Sequence, residues 1–475
     1  MHKTPLRASL LRLSLAASAG LLALGAFTSS AVAGPEESNQ HASRTTNIST
    51  DNVNRLKLSW FVKTNDPCSH MPLVQNGRVY FADWGGDVYC VNAGTGSQVW
   101  KKTGLEKPKK MWPWHGFAGT GALGGGMLFE ASAEGNAFAL DADTGRVMWK
   151  KRITTHPTAG SLARILYHDG MIFVGLQSVE EALDKKKPNF KPSFRGEVLA
   201  LDAKTGATMW RRSLVSAPGN GVAVWSSFAL DAAANRLYFT TGNNYTGQAT
   251  DLSDSMVAVD SRTGEIVWHK QTLERDVWTL AQPKGPDYDF AGGAQIFDAM
   301  INGQTRKLVG AAQKSGIYWV WDRESGEPVW HTTVGYGGVD GGPHGEASIG
   351  NGRVYVWSNN AYLHTMPPQK HPLNIMALDA ATGKRIWAMG KMQPAWLNSA
   401  GFLSNDVYLM GSLDGHLRAY RAWDGKKLWV SDTAQGPIVA SLAVAGSSVF
   451  FPTATPKILG KWAKGKQGVA AYTLR

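Results

Sequence analysis

Short hydrophobic runs separated by tight-turn residues recur along most of the chain. The most regular unit is an apolar residue followed by Asp-x-x-Thr-Gly-x-x-x-Trp, as in residues 141–149, 202–210 and 260–268. Another short hydrophobic run precedes each unit, as at residues 78–81. In an Asp-x-x-Thr-Gly turn the Asp side chain caps backbone amides and the Gly takes a positive φ. The pattern therefore predicts β-strands in repeated units of about four.

A tryptophan ends each unit and marks its outer strand, where a large apolar side chain fills the space between neighbouring sheets. Residues 56–60 look like an outer strand without its own repeat, and residues 468–472 look like the strand that precedes such a turn. Joining the two ends completes one more unit. We therefore predict an all-β, eight-bladed β-propeller of four-stranded blades closed by N- and C-terminal strands. The marker tryptophans are Trp60, Trp100, Trp149, Trp210, Trp268, Trp330, Trp387 and Trp429.

The first 33 residues have the pattern of a secretory signal peptide. Basic residues precede an apolar run from Leu13 to Phe27, and Ala31-Val32-Ala33 supplies a small-residue cleavage site. The run is short for a membrane span and no second long one follows, so we expect no transmembrane segment. We expect cleavage near Ala33 and a periplasmic or secreted protein. Residues 34–52 would then form an N-terminal extension and residues 53–475 the propeller.

The chain is basic, with a formal net charge of +12. Lysine-rich patches occur at residues 101–110, 185–191 and 457–466. We interpret them as solvated loops; the alternative is steering toward an acidic partner or an anionic surface. Behind a secretory signal, nucleic acid is not an expected partner.

The chain contains two cysteines, Cys68 and Cys90. An export compartment permits a disulfide, but sequence spacing alone leaves open whether these two residues form one. No Cys-x-x-Cys-His motif is present, so we expect no covalently attached c-type haem.

The repeat resembles the pyrroloquinoline-quinone (PQQ) propeller family over nearly the whole chain after the signal. The same blades also occur in scaffold lipoproteins of outer-membrane protein assembly, which bind no cofactor. The loop insertions therefore have to discriminate between these functions. Four of them resemble site segments of quinoprotein alcohol dehydrogenases, and the segment 253–258 resembles the polyvinyl-alcohol-dehydrogenase branch.

The first insertion contains Ala-Val-Trp225-Ser-Ser and then Thr-Thr-Gly-Asn243-Asn. It resembles the segment in which a Trp forms the platform under the PQQ ring and an Asn ligates the adjacent metal ion. A flat quinone needs a flat apolar floor, and a hard cation needs oxygen ligands. The resemblance thus implies that Trp225 binds the cofactor and Asn243 the metal; the alternative is that Trp225 is another blade-packing residue.

The second insertion, Pro286-Asp287-Tyr288-Asp289-Phe290-Ala291-Gly292, resembles the stretch carrying the catalytic base of methanol-dehydrogenase-like enzymes. Two carboxylates two positions apart share a face only if the segment is extended. The ungapped match makes Asp289 the base, with Asp287 as the alternative; an Asp-capped loop is the non-catalytic interpretation.

The third and fourth insertions complete the resemblance. Leu-Gln-Ser178-Val-Glu180-Glu181 resembles a Ser-Ser-x-Glu-Glu run in which one Glu is a metal ligand; the match favours Glu181 over Glu180 and implies cofactor contact for Ser178. In Gln-Lys314-Ser-Gly, Lys314 corresponds to the basic residue that hydrogen-bonds the reactive quinone oxygens. The alternative for the segment with Glu180 and Glu181 is a solvated acidic loop, and the alternative for Lys314 is a surface lysine.

Three departures from the family pattern concern the cofactor pocket. Many quinoprotein alcohol dehydrogenases carry two adjacent cysteines over PQQ, an arrangement that Cys68 and Cys90 cannot provide. Arg164 lies where a Thr-Gly-Ser-Pro stretch is usual; it would pair with a PQQ carboxylate or crowd the pocket. The segment 344–346, His-Gly-Glu, replaces a more apolar one.

The resemblance implies a PQQ-dependent alcohol dehydrogenase with a cation held by Glu181, Asn243 and Asp289. Lanthanide-using relatives have an extra Asp two residues after the base. Counted from Asp289 that position is Ala291, which favours Ca²⁺; counted from Asp287 it is Asp289, and a lanthanide is the alternative. A primary or secondary alcohol would be the substrate, and a separate soluble cytochrome c or similar carrier the electron acceptor. The alternatives are a non-catalytic scaffold in cell-envelope assembly and a propeller lyase or hydrolase.

Overall fold

A computed structural model describes residues 37–108, 114–187, 189–359, 373–392, 401–455 and 465–475. The predicted signal peptide over residues 1–33 lies outside the described residues. So do parts of the lysine-rich patches at 101–110, 185–191 and 457–466.

The first half of the described chain contains eighteen of the strands and one α-helix, α1 (Glu180–Lys186). A short 3-10 helix at Val53–Arg55 precedes the second strand. The strands are β1 (Ala42–Ser43), β2 (Leu56–Lys63), β3 (Leu73–Gln75), β4 (Arg78–Ala82), β5 (Val88–Asn92), β6 (Gln98–Lys102), β7 (Ala122–Gly124), β8 (Met127–Ala131), β9 (Asn136–Asp141), β10 (Val147–Arg152), β11 (Ala159–Gly160), β12 (Leu166–His168), β13 (Met171–Gly175), β14 (Gln177–Ser178), β15 (Glu197–Asp202), β16 (Thr208–Ser213), β17 (Ala229–Asp231) and β18 (Arg236–Thr240).

The second half continues the same hairpin pattern. Its strands are β19 (Ser255–Asp260), β20 (Ile266–Gln271), β21 (Gln295–Ile301), β22 (Gln304–Gln313), β23 (Ile317–Asp322), β24 (Pro328–Thr333), β25 (Ser348–Gly350), β26 (Arg353–Asn359), β27 (Leu373–Asp379), β28 (Arg385–Met392), β29 (Phe402–Ser404), β30 (Val407–Gly411), β31 (Leu417–Arg421), β32 (Lys427–Val430), β33 (Ala443–Ala445), β34 (Ser448–Thr453) and β35 (Gly468–Leu474).

Within the described ranges these strands form eight sheets whose four main strands are antiparallel, the blades of a β-propeller. Blade 1 is β3–β6, blade 2 is β7–β10, and blade 3 is β12, β13, β15 and β16. Blades 4 to 7 are β17–β20, β21–β24, β25–β28 and β29–β32, and blade 8 is β33–β35 with β2. Strands β11 and β14 pair separately, and α1 follows β14 before blade 3 is completed. The all-β, eight-bladed prediction is confirmed.

Blade 8 is built from both ends of the described chain. Strand β2 pairs antiparallel with β35, with Trp60 opposite Ala471 and Val62 opposite Val469. The pairing predicted for the outer strand at Trp60 is therefore confirmed, and it closes the ring.

The marker tryptophans join neighbouring blades. Trp60 Nε1 donates to the Ala93 carbonyl of blade 1 at 2.9 Å. An added Cβ on Gly96, whose φ is +71°, would lie 2.8 Å from ring carbons of Trp60, so only glycine allows this turn to rest on the indole. The Trp-to-next-blade contact recurs at Trp100 with Gly145 and at Trp149 with Gly206. The Thr-Gly turn and the Trp of the sequence repeat are thus two halves of one interface.

Residues 37–43, here called the inner strap, run along the innermost strands of four successive blades. Strap carbonyls accept hydrogen bonds from one backbone amide in each of β17, β21, β25 and β29, and β1 pairs in parallel with β29. The donors are Leu230, Ile296, Ile349 and Leu403. The strap therefore satisfies amides that the innermost edges of these blades would otherwise leave unpaired.

Cys68 and Cys90 are free and buried. Burial raises the pKa of Cys90 to about 12, so its thiol is protonated and unreactive at neutral pH.

Among the described residues, no helix is both long and apolar enough to cross a membrane.

Candidate active site

Asp289 lies at the centre of the residues singled out in the sequence. Its Oδ2 accepts a hydrogen bond from Trp225 Nε1 at 3.2 Å, and its Oδ1 accepts one from the Asn243 backbone amide at 2.9 Å. Lys314 Nζ lies 3.6 Å from Oδ2. Residues from two insertions thus converge on the carboxylate of another.

Each of these residues is placed by a loop that leaves a blade strand. Trp225 precedes β17, Asn243 follows β18, Asp289 precedes β21 and Lys314 follows β22. Gly242 allows the close approach, because an added Cβ there would meet Asp289 Oδ2 at 2.9 Å. The repeat therefore supplies the scaffold, and blades 4 and 5 supply the loops.

Two hydrogen bonds from its amide nitrogen orient the Asn243 side chain. Its Nδ2 donates to the carbonyls of Asn244 at 2.6 Å and Trp278 at 3.0 Å. Because both donors point to these carbonyls, Oδ1 faces the opposite side, where an oxygen ligand can serve a cation.

Lys314 bridges the two aspartates of the Asp-Tyr-Asp segment. Its Nζ lies 3.0 Å from Asp287 Oδ1, closer than its distance to Asp289, and 5.5 Å from the Trp225 ring centroid. Burial acts to lower the pKa of Lys314, but the carboxylates of Asp287, Asp289 and Glu181 raise it overall. Lys314 is therefore a permanent cation beside the indole face.

Asp287 is held differently from Asp289. Its φ is +61°, and burial raises the pKa of its carboxyl group well above the ordinary value, against the opposing effect of Lys314. The Asp287 and Tyr288 amides both donate to the Asp276 carboxylate, at 3.2 and 2.6 Å. Burial raises the pKa of Asp276 to about 6. The two candidate bases thus have different surroundings, with Asp289 beside Trp225 and Asn243 and Asp287 paired with Lys314.

The structure separates the two adjacent glutamates at the start of α1. Glu180 Oε2 accepts hydrogen bonds from the amides of Ser193 at 2.8 Å and Phe194 at 2.7 Å, so its carboxylate braces the loop before β15. The Glu181 charge instead acts on Asp287 and Lys314. Of the two, Glu181 is the one whose charge acts on the Asp287–Lys314 pair.

Two other predicted cofactor contacts are engaged within the protein. The Ser178 hydroxyl donates to the Thr158 carbonyl at 3.2 Å and accepts from the Glu180 amide at 3.2 Å. Arg164 Nη1 donates to Asn39 Oδ1 of the inner strap at 2.7 Å. These hydrogen bonds link segments around the site, and none of them reaches the Asp289 cluster.

Arg164 also belongs to a buried group of ionisable residues that includes His41 of the inner strap. Its Nη2 lies 4.0 Å from Glu346 Oε2, and His41 Nε2 lies 3.9 Å from the same oxygen. Burial acts to raise the pKa of Glu346, but the Arg164 charge lowers it overall. Glu346 therefore remains ionised and balances Arg164. Arg164 and the segment 344–346 both depart from the family pattern described above. The segment thus supplies the counter-ion for the arginine.

Sequence reasoning assigned no role to two buried polar side chains near the site. Among the described residues, both Asp254 oxygens and both His344 ring nitrogens lack a hydrogen-bond partner. Burial raises the pKa of Asp254 well above its ordinary value, and burial lowers the pKa of His344 to about 3. A sequence signal for Asp254 existed, because it stands where other blades have glycine.

The residues present fit a flat anionic cofactor and a cation. The Trp225 ring is partly exposed and has Lys314 Nζ on its face, and the Asp254 oxygens are buried without partners. Glu181, Asn243 and Asp289 offer the hard oxygen donors that Ca²⁺ prefers. No three His, Cys, Asp or Glu side chains of the described ranges stand in metal-binding geometry.

Two family models match the chain. One, described as the glucose/ethanol/alcohol dehydrogenase β-propeller domain, matches residues 210–335. The other, described as outer membrane protein assembly factor BamB, matches residues 57–271, 313–450 and 372–473, which is more than half of the chain. The second model covers more than half of the chain and, with the eight blades, shows that the chain belongs to the family of PQQ-type β-propellers. The match to the dehydrogenase model covers a shorter part, residues 210–335, and is a similarity.

Relatives of known identity include two polyvinylalcohol dehydrogenases. The one from Sphingopyxis sp. (strain 113P3) is 28% identical over 465 residues, covering 90% of this chain and 70% of the relative. The one from a Pseudomonas species is 26% identical over 430 residues, covering 82% of this chain and 65% of the relative. This chain thus spans about two thirds of the length of both.

A solved structure shows the same fold. The quinohemoprotein alcohol dehydrogenase of Comamonas testosteroni superposes with a TM-score of 0.75 at 22% identity, covering 92% of this chain and 79% of that one. At this identity the likeness concerns the propeller alone.

Proposed function

We propose that this protein is a periplasmic PQQ-dependent alcohol dehydrogenase that oxidises a primary or secondary alcohol. The observation that carries the proposal is the convergence of Trp225, Asn243 and Lys314 on the Asp289 carboxylate. A propeller that serves only as a scaffold has no need of a buried carboxylate held by an indole, an amide and a lysine. The family membership and the two polyvinylalcohol dehydrogenase relatives support the same class of reaction.

PQQ would stack on the exposed face of Trp225 and, when bound, supplies the two-electron acceptor for the alcohol's hydride. Lys314 Nζ lies 5.5 Å from the centroid of the Trp225 ring and would offer positive charge where negative charge develops on the quinone oxygens. The Lys314 ammonium group forms an ion pair with Asp287, 3.0 Å from Asp287 Oδ1. This contact holds it in the site rather than in solvent. The protein thereby orients the cofactor from below and from one edge.

Asp289 takes the hydroxyl proton of the alcohol in this proposal. Hydrogen bonds from Trp225 and Asn243 fix the plane of its carboxylate, so the base is oriented before the substrate arrives. Asp287 is the weaker candidate, because it pairs more closely with Lys314, at 3.0 Å compared with 3.6 Å for Asp289.

Glu181, Asn243 and Asp289 would hold the cation, which acts as a Lewis acid beside the cofactor. We propose Ca²⁺, because Ala291 offers no side-chain oxygen two residues after Asp289. Reconstituting metal-free protein with PQQ and each ion separately tests this choice. Activity with La³⁺ and none with Ca²⁺ would show that Asp287 is the correct starting point for counting.

The reduced cofactor has to be reoxidised by an external carrier, for which we propose a soluble cytochrome c or a similar protein. The sequence given carries no Cys-x-x-Cys-His motif to hold a haem of its own. Reduction of an added cytochrome c by protein, PQQ, Ca²⁺ and alcohol is the expected result.

A second candidate function is a non-catalytic scaffold in cell-envelope assembly, because the family model described as BamB matches the longer part of the chain. Purified protein given PQQ and Ca²⁺ should reduce an artificial dye when supplied with primary alcohols, secondary alcohols or polyvinyl alcohol. PQQ binding detected by its absorbance, without any dye reduction, would leave a cofactor-binding protein of another activity. Absence of PQQ binding would favour the scaffold.

A further inference from the structure

Asp254 occupies a position in the propeller repeat that is glycine in other blades. Gly135 and Gly316 each stand one residue before the third strand of their blade, with φ of +83° and +85°. Their carbonyls accept the amide of the residue that follows the fourth strand, Ile153 and Val334. Asp254 stands one residue before β19, has φ of +50°, and accepts the Thr272 amide just after β20.

A side chain at this position is unfavourable in two ways. The left-handed backbone region is strained for a residue with a Cβ, although Asp tolerates it better than most. In addition, the Asp254 side chain is 0% exposed, and neither of its oxygens has a hydrogen-bond partner among the described residues. Asp169 shows the ordinary case, since it has φ of +42° in an exposed turn where water solvates its carboxylate. Strain and an unpaired buried carboxyl group together indicate a functional demand on the position.

The backbone of Gly242 connects Asp254 to the candidate active site. Its amide donates to the Gly242 carbonyl at 3.2 Å, and the other face of Gly242 packs against the Asp289 carboxylate. The charges that act on Asp254 are those of Asp289, Asp276, Asp287 and Lys314. Asp254 therefore lies near a group of three other aspartates and one lysine, and neither of its own oxygens has a partner among the described residues.

We propose that Asp254 is a further carboxylate ligand of the active-site cation, in addition to Glu181, Asn243 and Asp289. The proposal rests on the cation site of the proposed function. A cation offers the Asp254 oxygens the partner that the protein does not, and each added anionic oxygen strengthens binding of a hard ion. The same contribution is larger for a trivalent than for a divalent ion, because the attraction scales with the charge of the ion.

Calorimetric titration of the full chain with Ca²⁺ and with La³⁺, both with PQQ present, tests this role. Asp254→Asn retains the shape of the side chain and removes its charge, while Asp254→Gly introduces the residue found at this position in blades 2 and 5. Both variants should bind Ca²⁺ at least about tenfold more weakly than the wild type and lose a larger factor for La³⁺. Asp254→Gly should also unfold at a higher temperature than the wild type when no cation is added, because backbone strain is relieved. Asp169→Asn is the matched control and should bind both ions as the wild type does.

The outcomes separate this inference from the proposed function. If the wild type binds Ca²⁺ and both Asp254 variants bind it equally well, the ligand assignment is wrong while the cation site stands. If the wild type binds neither ion with PQQ present, the proposed cation site fails, and the assignment of Asp254 with it. Should Asp254→Asn fail to fold, the Asp254→Gly variant decides, because glycine occupies the same backbone position at Gly135 and Gly316.

Discussion

Trp225 donates its indole N–H to Oδ2 of Asp289 at 3.2 Å, so the proposed cofactor platform and the proposed catalytic base form one hydrogen-bonded unit. The same ring carries Lys314 Nζ 5.5 Å from its centroid. A displacement of the indole would therefore disturb the floor of the cofactor pocket, the orientation of the base and the position of the cation–π contact together.

The first prediction concerns the base. Asp289→Asn should leave a folded protein that binds PQQ but oxidises alcohol at least about a hundredfold more slowly, because an amide cannot accept the proton. The measurement is dye reduction with saturating PQQ and Ca²⁺, alongside circular dichroism to confirm folding. Asp287→Asn is the comparison: if it alone loses activity while Asp289→Asn turns over normally, the base is two residues earlier than proposed.

The second prediction separates the two glutamates of α1. Glu181→Gln should lower Ca²⁺ affinity by roughly tenfold or more, because it removes an anionic ligand. Glu180→Gln should leave Ca²⁺ affinity nearly unchanged and instead cost about 1–3 kcal/mol of unfolding free energy, because the Ser193 and Phe194 amides lose a charged acceptor. Calorimetry and urea denaturation measure the two effects. Equal losses of Ca²⁺ affinity in both variants would contradict the division.

The third prediction is a pH dependence of stability in the cofactor-free protein. Burial, and then the Arg164 charge, lower the pKa of His41 from 6.5 to about 3. The folded protein keeps this ring neutral while the unfolded chain protonates it. Stability from this residue is therefore complete above pH 6.5 and decreases as the pH falls toward 3. The loss is about 1.4 kcal/mol per pH unit for each such histidine, and His344 acts in the same direction.

Urea denaturation between pH 7 and pH 5 measures this slope. His41→Asn should reduce it, since Asn does not titrate and tolerates the left-handed φ of +50° at this position. His269→Asn, on the exposed surface, is the control and should leave the slope as it is. A slope that is identical in His41→Asn and the wild type would show that the strap histidine is already protonated in the folded state.

The fourth prediction concerns closure of the ring. Trp60→Ala should destabilise the fold by about 3–5 kcal/mol, because it removes a buried indole that packs on Gly96 and donates to Ala93 across the blade 8 to blade 1 interface. Trp423 is 48% exposed, and Trp423→Ala is the matched control with an expected change below about 0.5 kcal/mol. Thermal unfolding of both variants provides the comparison. Similar small shifts in the two would mean that the two ends of the ring are held mainly by the β2–β35 pairing.

Much of the fold followed from the local pattern of the sequence. The Asp-x-x-Thr-Gly turns, the period of the tryptophans and the incomplete units at the two ends were sufficient to predict eight blades and the pairing of Trp60 with the last strand. These are short-range properties, because turn chemistry and apolar alternation act within a few residues and the repeat then copies them around the ring. The sequence also named Asp289 and the three residues that meet at it, although by resemblance rather than by physical derivation.

Tertiary structure alone decided how those residues divide their work. Sequence spacing cannot tell which of Glu180 and Glu181 faces the site, because adjacent residues in the first turn of a helix point in different directions. In the structure, the amides of Ser193 and Phe194 bind the Glu180 carboxylate and hold it at the loop. Likewise Arg164 finds its counter-ion in Glu346, which is far from it in sequence, and only the fold shows that the Asp254 oxygens are buried without a hydrogen-bond partner among the described residues. Contacts across the ring depend on how blades pack, and that information is not contained in any single stretch of residues.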